Sequence, residues 1–198
     1  MLYLKLPKEN FDAFFENLKS FGRIYGPVKT GASSYAFKEV SSAEEMDLSY
    51  TRTMIPPKKF FVKPIEKIFE FDEEKAEFRE VFEETEKVVV FGVHHCDINA
   101  IKLLDKVYLD ELPDKYYWKR RENTVLIGYD CYPDEYCFCK SMGTSYAMDG
   151  FDIFLHELSD GYLVRVASEK GQEIIAKSKN LFANVEAKDI AEFKEKEK

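Results

Sequence analysis

Cys96, Cys131, Cys137 and Cys139 are the only cysteines of this chain, and all four fall in one short region. Cys96 lies in Phe91-Gly92-Val93-His94-His95-Cys96-Asp97, and the other three fall between Gly128 and Cys139. Four thiolates are the number that a tetrahedral zinc ion or a [4Fe–4S] cluster requires. Structural zinc usually sits on two C-x₂₋₄-C knuckles. Here the last three cysteines are separated by five residues and by one, with a distant fourth. A cluster accepts such irregular spacing because its iron corners are spread over a larger object. Spacing alone leaves iron–sulfur and zinc both open. A third chemistry, thiols acting directly in a redox relay, needs no metal.

The residues around the cysteines have plainer readings. His94 and His95 flank Cys96, and a histidine can replace a thiolate as ligand. With four cysteines at hand, they read as structural or as hydrogen-bond partners of sulfur. Tyr129, Tyr132, Tyr136 and Phe138 would exclude water from a cluster. His156 reads as a surface residue of a hairpin strand, and Asp97 as a helix cap rather than an acid catalyst. Arg52, Lys58 and Lys59 either offset cluster charge and dock an acidic partner, or belong to a rigid proline loop with solvated lysines. Gly143-Thr144-Ser145 lacks the G-x-G-x-x-G context of a dinucleotide site. No Ser-His-Asp order or paired-carboxylate pocket emerges, so no catalytic residue is assigned.

Two apolar segments must position the thiols. Lys87–Val93 and Thr124–Tyr129 read as strands buried on both faces, joined through a helix over Ile98–Leu104. Such a β-α-β unit should be parallel and right-handed, so both strands end at the same sheet edge, where ligands bind in open α/β sheets. Neighbouring strands lie ~4.8 Å apart, close enough for Cys96 and Cys131 to share one cofactor. Elsewhere the pattern predicts a strand over Leu2–Leu6, a helix over Asn10–Phe21 and a hairpin through Gly31. Thr51–Pro64 is too rich in proline for regular structure, and Glu73–Glu84 reads as an acidic surface helix. Phe151–Leu158 and Tyr162–Ala167 form a hairpin turned at Ser159-Asp160-Gly161. The fold class is mixed α/β (α+β): a parallel βαβ unit in a mixed sheet, with flanking helices and a C-terminal hairpin. Residues 1–185 form one α/β domain, with an N-terminal part (1–50), a proline-rich connection (51–70) and the cysteine-site part (86–185). Residues 186–198 are a charged helical tail, read as solvated.

Composition excludes several classes. A net charge of −8 and a pI near 5.1 argue against nucleic acid or an anionic membrane, either of which needs a basic patch. Met1–Leu6 alternates like a strand rather than a signal peptide, and no run approaches ~18 apolar residues. A soluble, cytoplasmic protein is expected, whose cysteines are thiolates available to metal rather than disulfides.

Five segments carry a family resemblance: Phe91–Asp97, Asp110–Tyr117, Pro133–Cys139, Arg52–Phe61 and Gly150–Phe154. Together they resemble the beta subunit of the soluble sulfhydrogenases, the cytoplasmic NiFe hydrogenases, and are similar to the alpha subunit of anaerobic sulfite reductase. The likeness covers almost the whole chain. It implies an electron-transfer subunit of an oxidoreductase complex, not catalytic on its own, holding one [4Fe–4S] cluster through Cys96, Cys131, Cys137 and Cys139. It also implies partners, a NiFe module and an NAD(P)H-linked flavin subunit. Members of the family continue into a ferredoxin-like region with two further cysteine-rich motifs, which this chain stops short of. The chain therefore reads as the amino-terminal domain only. The alternative function is a structural-zinc scaffold or interaction module.

Overall fold

The computed structural model describes residues 2–82 and 85–196. Along the chain run β1 (Leu2–Pro7), α1 (Phe11–Leu18), β2 (Arg23–Lys29), β3 (Tyr35–Glu39), β4 (Phe69–Asp72), β5 (Glu77–Glu80), β6 (Val88–Val93), α2 (His95–Leu109) and α3 (Lys115–Glu122). There follow β7 (Thr124–Tyr129), β8 (Ile153–Leu158), β9 (Gly161–Val166), α4 (Glu169–Lys177) and α5 (Ala187–Lys196). Seven strands form one sheet in the order β1-β9-β8-β7-β6-β2-β3, and β4 and β5 form a separate hairpin. The central pairings β2–β6, β6–β7 and β7–β8 are parallel, while the flanking β1–β9, β8–β9 and β2–β3 pairings are antiparallel. This is the expected mixed sheet, with its parallel βαβ unit and its C-terminal hairpin.

The central strands are apolar throughout because helices cover both faces. On one side Val89 and Phe91 of β6 pack with Phe14, Phe15 and Leu18 of α1 and Ile174 of α4. On the other, Val90 and Val93 pack with Ile98 and Ile101 of α2 and Tyr117 of α3. Gly92 sits between them at φ +82°, where the β6–β7 register slips. A Cβ there would meet Leu48 and Pro27 at 3.1 and 3.2 Å. The bulge re-aims the chain just before His94-His95-Cys96.

Three expectations need correction. The acidic segment Glu73–Glu84 is not a helix: residues 69–80 are the β4–β5 hairpin, and positions 83 and 84 lie outside the described residues. Phe-Glu-Phe-Asp and Glu-Phe-Arg-Glu alternate with a period of two, a strand signal that the density of charge obscures. The helix after β6 starts at His95, not Ile98, and its N-cap is His94, so Asp97 lies in the first turn and does not cap. There its carboxylate still favours the helix dipole. The terminal helix α5 is docked rather than solvated. Phe193 packs 4.5 Å from His156, and Glu192 accepts hydrogen bonds from the backbone N–H and hydroxyl of Ser159.

A buried ion pair fastens α5. Lys5 of β1 donates to Asp189 and Asp160, both at 2.8 Å, and the Lys5 and Asp189 side chains are almost fully buried. Hydrogen bonds to Asp160 and Asp189 hold the Lys5 amine well above its usual range. Removing one member of a buried pair strands the other's charge. Lys5→Met should therefore destabilise the fold by about 3 kcal/mol in urea unfolding, with Asp189→Asn restoring part of the loss in the double variant. A loss well under about 1 kcal/mol would show that water reaches the pair.

Candidate metal centre

β6 and β7 run parallel and side by side, and each delivers a cysteine just past its carboxyl end. Cys96 is the second residue of α2, and Cys131 stands two residues beyond the end of β7. The loop after Cys131 carries Cys137 and Cys139 in turns, with Cys137 N–H bonded to Asp134 O and Thr144 N–H to Cys139 O. Cys96 and Cys139 are hydrogen-bonded through their thiols, and Cys131 interacts electrostatically with Cys96, Cys137 and Cys139. Cys137 is exposed and the other three are half-buried. The structure thus gathers the four predicted site residues at one sheet edge.

The electrostatics there disfavour free thiolates. Burial, then the neighbouring Asp97 and Cys139, push the Cys96 thiol up to about 12, and burial with the other thiols pushes Cys131 to about 11. A nucleophilic or redox-relay cysteine needs the opposite shift. Only a cation would make four thiolates tolerable here, aided by the first-turn N–H groups of α2. Asp97 is itself raised to about 6 by burial, with Lys58 partly offsetting this.

The aromatic screen expected around the cysteines is largely absent. Tyr129 is buried, but Tyr132, Tyr136 and Phe138 are exposed and rim the loop instead. Arg52 pairs with Asp134 and stacks over Tyr136, tying the loop to the proline-rich segment. The aromatic docking candidates also divide. Phe61 and Tyr117 fill the core, while Trp118 is half exposed.

His94 is buried and stacked on Tyr50 at 4.0 Å. Burial, then His95, lowers it to about 4, and it donates to the Thr51 backbone. Its Nε2 has no hydrogen-bond partner among the described residues. Since the other nitrogen carries the proton, Nε2 is a lone pair beside the cysteine site. It can accept or ligate, but in the neutral ring it cannot donate to sulfur.

His156 is buried, not on the surface. Its Nδ1 lies 2.7 Å from Asp130 Oδ1, its Nε2 lies 3.4 Å from Arg165 Nη1, and His95 Nε2 stands 3.8 Å from the same carboxylate. These atoms sit as closely as metal ligands would. The hydrogen-bond logic argues otherwise. Ala147 N–H donates to His95 Nδ1, so the proton of that ring is on Nε2, facing Asp130. Arg165 donates to His156 Nε2, so the His156 proton also faces Asp130, and the fully buried guanidinium would repel a cation. The group is a hydrogen-bonded relay. Against the cost of burial, hydrogen bonds from His156 and His95 hold the Asp130 carboxyl well below its usual range. Sequence reasoning missed this network. Its one signal was Arg165 inside the otherwise apolar Gly161–Val166, since a buried arginine requires partners.

Comparison with known proteins adds one match. Over 195 residues, 98% of its length, the chain is 54% identical to Sulfhydrogenase 2 subunit beta of Pyrococcus furiosus. The chain is a homologue of that sulfhydrogenase beta subunit. It spans 57% of the relative's length. No protein-family model matches the chain, and no solved structure does. Among the described residues of this sulfhydrogenase beta-subunit relative, no helix is long and apolar enough to cross a membrane.

Proposed function

We propose that this chain is the iron–sulfur, electron-transfer part of a cytoplasmic sulfhydrogenase-type complex, relaying electrons through one [4Fe–4S] cluster held by Cys96, Cys131, Cys137 and Cys139. The observation that carries this reading is the delivery of Cys96 and Cys131 from adjacent parallel strands to a loop bearing the other two thiols. Sulfur separations support a cluster over zinc. Tetrahedral Zn–S bonds of ~2.3 Å bring sulfurs within ~4 Å of one another, whereas thiolates on a cluster stand roughly 6–7 Å apart. Among the described residues, the only group of three or more ligating atoms mutually within 4.8 Å is His95, Asp130 and His156, with no cysteine.

When bound, the cluster supplies one-electron storage. The protein's own groups do the rest: β6 and β7 fix two thiolates, the α2 N-terminus offsets their charge, and the His95–Asp130–His156 relay holds the adjoining backbone. The partners between which such a relay would stand are a NiFe module and a flavin-bearing component. Anaerobic purification with iron and sulfide quantification should give about four of each per chain, with an EPR signal appearing on reduction. Zinc as the sole bound metal would overturn the reading.

A further inference from the structure

We propose that two copies of this chain pair through their β4–β5 hairpins, each laying a phenylalanine face into the apolar, lysine-bearing groove of the other. In an antiparallel ribbon, directly opposed residues share a face. Phe69 opposes Glu80 and Phe71 opposes Phe78, so three phenylalanines share one face. Glu70 opposes Arg79 and Asp72 opposes Glu77 on the other. The far face is settled by the Glu70–Arg79 ion pair. The near face is open: Phe69, Phe71 and Phe78 are 58, 51 and 76% exposed. A lone two-stranded ribbon is marginal in water, and an uncovered aromatic face marks a contact surface.

Charge identifies the occupant. Within Phe69–Glu80, Glu70, Asp72, Glu73, Glu74, Glu77 and Glu80 stand against only Lys75 and Arg79, so the apolar strip has an acidic surround. Its complement lies on the same chain. A cavity of about 640 Å³ between the proline-rich segment and α2 is lined by Ile55, Phe60, Leu104 and Tyr108, with Lys58 and Lys59 and no acidic residue.

The two surfaces are neighbours. The Tyr116 hydroxyl is within hydrogen-bond reach of the Ile68 and Val81 carbonyls at the hairpin's two ends, while Tyr117 stacks on Tyr108 of the groove wall at 4.7 Å. A hairpin and groove on one side of the molecule can be exchanged reciprocally about a two-fold axis. The contact is then made twice and closes, rather than growing into a filament.

Sedimentation of the full chain under reductant tests this, with circular dichroism checking each variant's fold. The expected species has twice the 23.2 kDa monomer mass at micromolar concentration. Phe71→Ser/Phe78→Ser should weaken association at least ~10-fold, as losing large aromatic anchors does at interfaces. Lys58→Glu/Lys59→Glu and Glu73→Lys/Glu74→Lys should each be monomeric alone, because like charges then face each other at both contacts. Mixed one to one they should form a heterodimer, since both contacts regain opposite charges. A wild-type chain that stays monomeric to high concentration would overturn the proposal and leave the face to a different protein. So would a dimer that survives the serine variant, or charge variants that do not re-pair.

Discussion

Cys139→Ala should empty the site while leaving the domain folded. The loop from Asp130 to Gly143 has no regular secondary structure and is held by a few local bonds, among them Met142 N–H to Phe138 O and Tyr132 hydroxyl to Glu157. Its order in the metal-loaded protein should come from thiolate bonds, where ligand binding counts as local folding energy. The sheet does not depend on the loop, because β6 and β7 are buried by α1 and α4 on one face and by α2 and α3 on the other. Bound iron should fall from about four per chain to near zero. The metal-free variant should lose less than about 1 kcal/mol in urea, the usual cost of truncating a partly exposed side chain. Hydrogen exchange should rise mainly over residues 130–143. Cys96→Ala should empty the site equally and cost more, about 1–2 kcal/mol, since its half-buried thiol lies in the first turn of α2. Global unfolding of Cys139→Ala at moderate temperature would mean that the site holds the fold up, and would point back to structural zinc.

The contrast between these two cysteines follows what the sequence could reveal. Strands β6 and β7 were legible because nearly unbroken valine, leucine and isoleucine over six residues has few alternatives to a doubly covered strand. Once they were parallel neighbours, the meeting of Cys96 and Cys131 followed from topology. The hairpin at 69–80 was not legible, because its period-two pattern belongs to a ribbon with no core beneath it, and charge alone suggests a helix surface equally well. The start of α2 was misplaced because Asp97 is a good cap by type, whereas the bulge at Gly92 sets where the chain turns. The His–Asp–His–Arg relay joins residues from α2, the β7 end, β8 and β9. No local spacing encodes a contact assembled from four elements.

That relay carries the largest stability effect expected outside the cysteines. Asp130 accepts from His156 Nδ1 at 2.7 Å and from Glu157 N–H at 2.9 Å, both shielded from water. Asp130→Ala would leave two buried donors without partners, each worth about 1–3 kcal/mol, so a loss of about 3 kcal/mol is expected. Asp130→Asn, which keeps one acceptor oxygen, should recover part of it. Acid titration gives an independent check. Burial lowers the His156 pKa despite the opposing pull of Asp130. Below the ordinary histidine value of ~6.5, the unfolded chain takes up a proton that the folded chain resists, so stability is full above that pH and declines as pH falls. Deleting Asp130 removes the influence that favours the charged ring. The folded-state value then drops further, and the acid-induced loss should continue to lower pH in Asp130→Ala than in the wild type. A variant whose stability is flat between pH 7 and pH 5 would show that His156 is hydrated and that the relay is not closed. The same variant should bind iron less tightly, because Asp130 adjoins Cys131 and His95 adjoins Cys96. When the relay loosens, two of the four thiols lose their fixed backbone together, as happens when outer-shell partners of a metal ligand are removed.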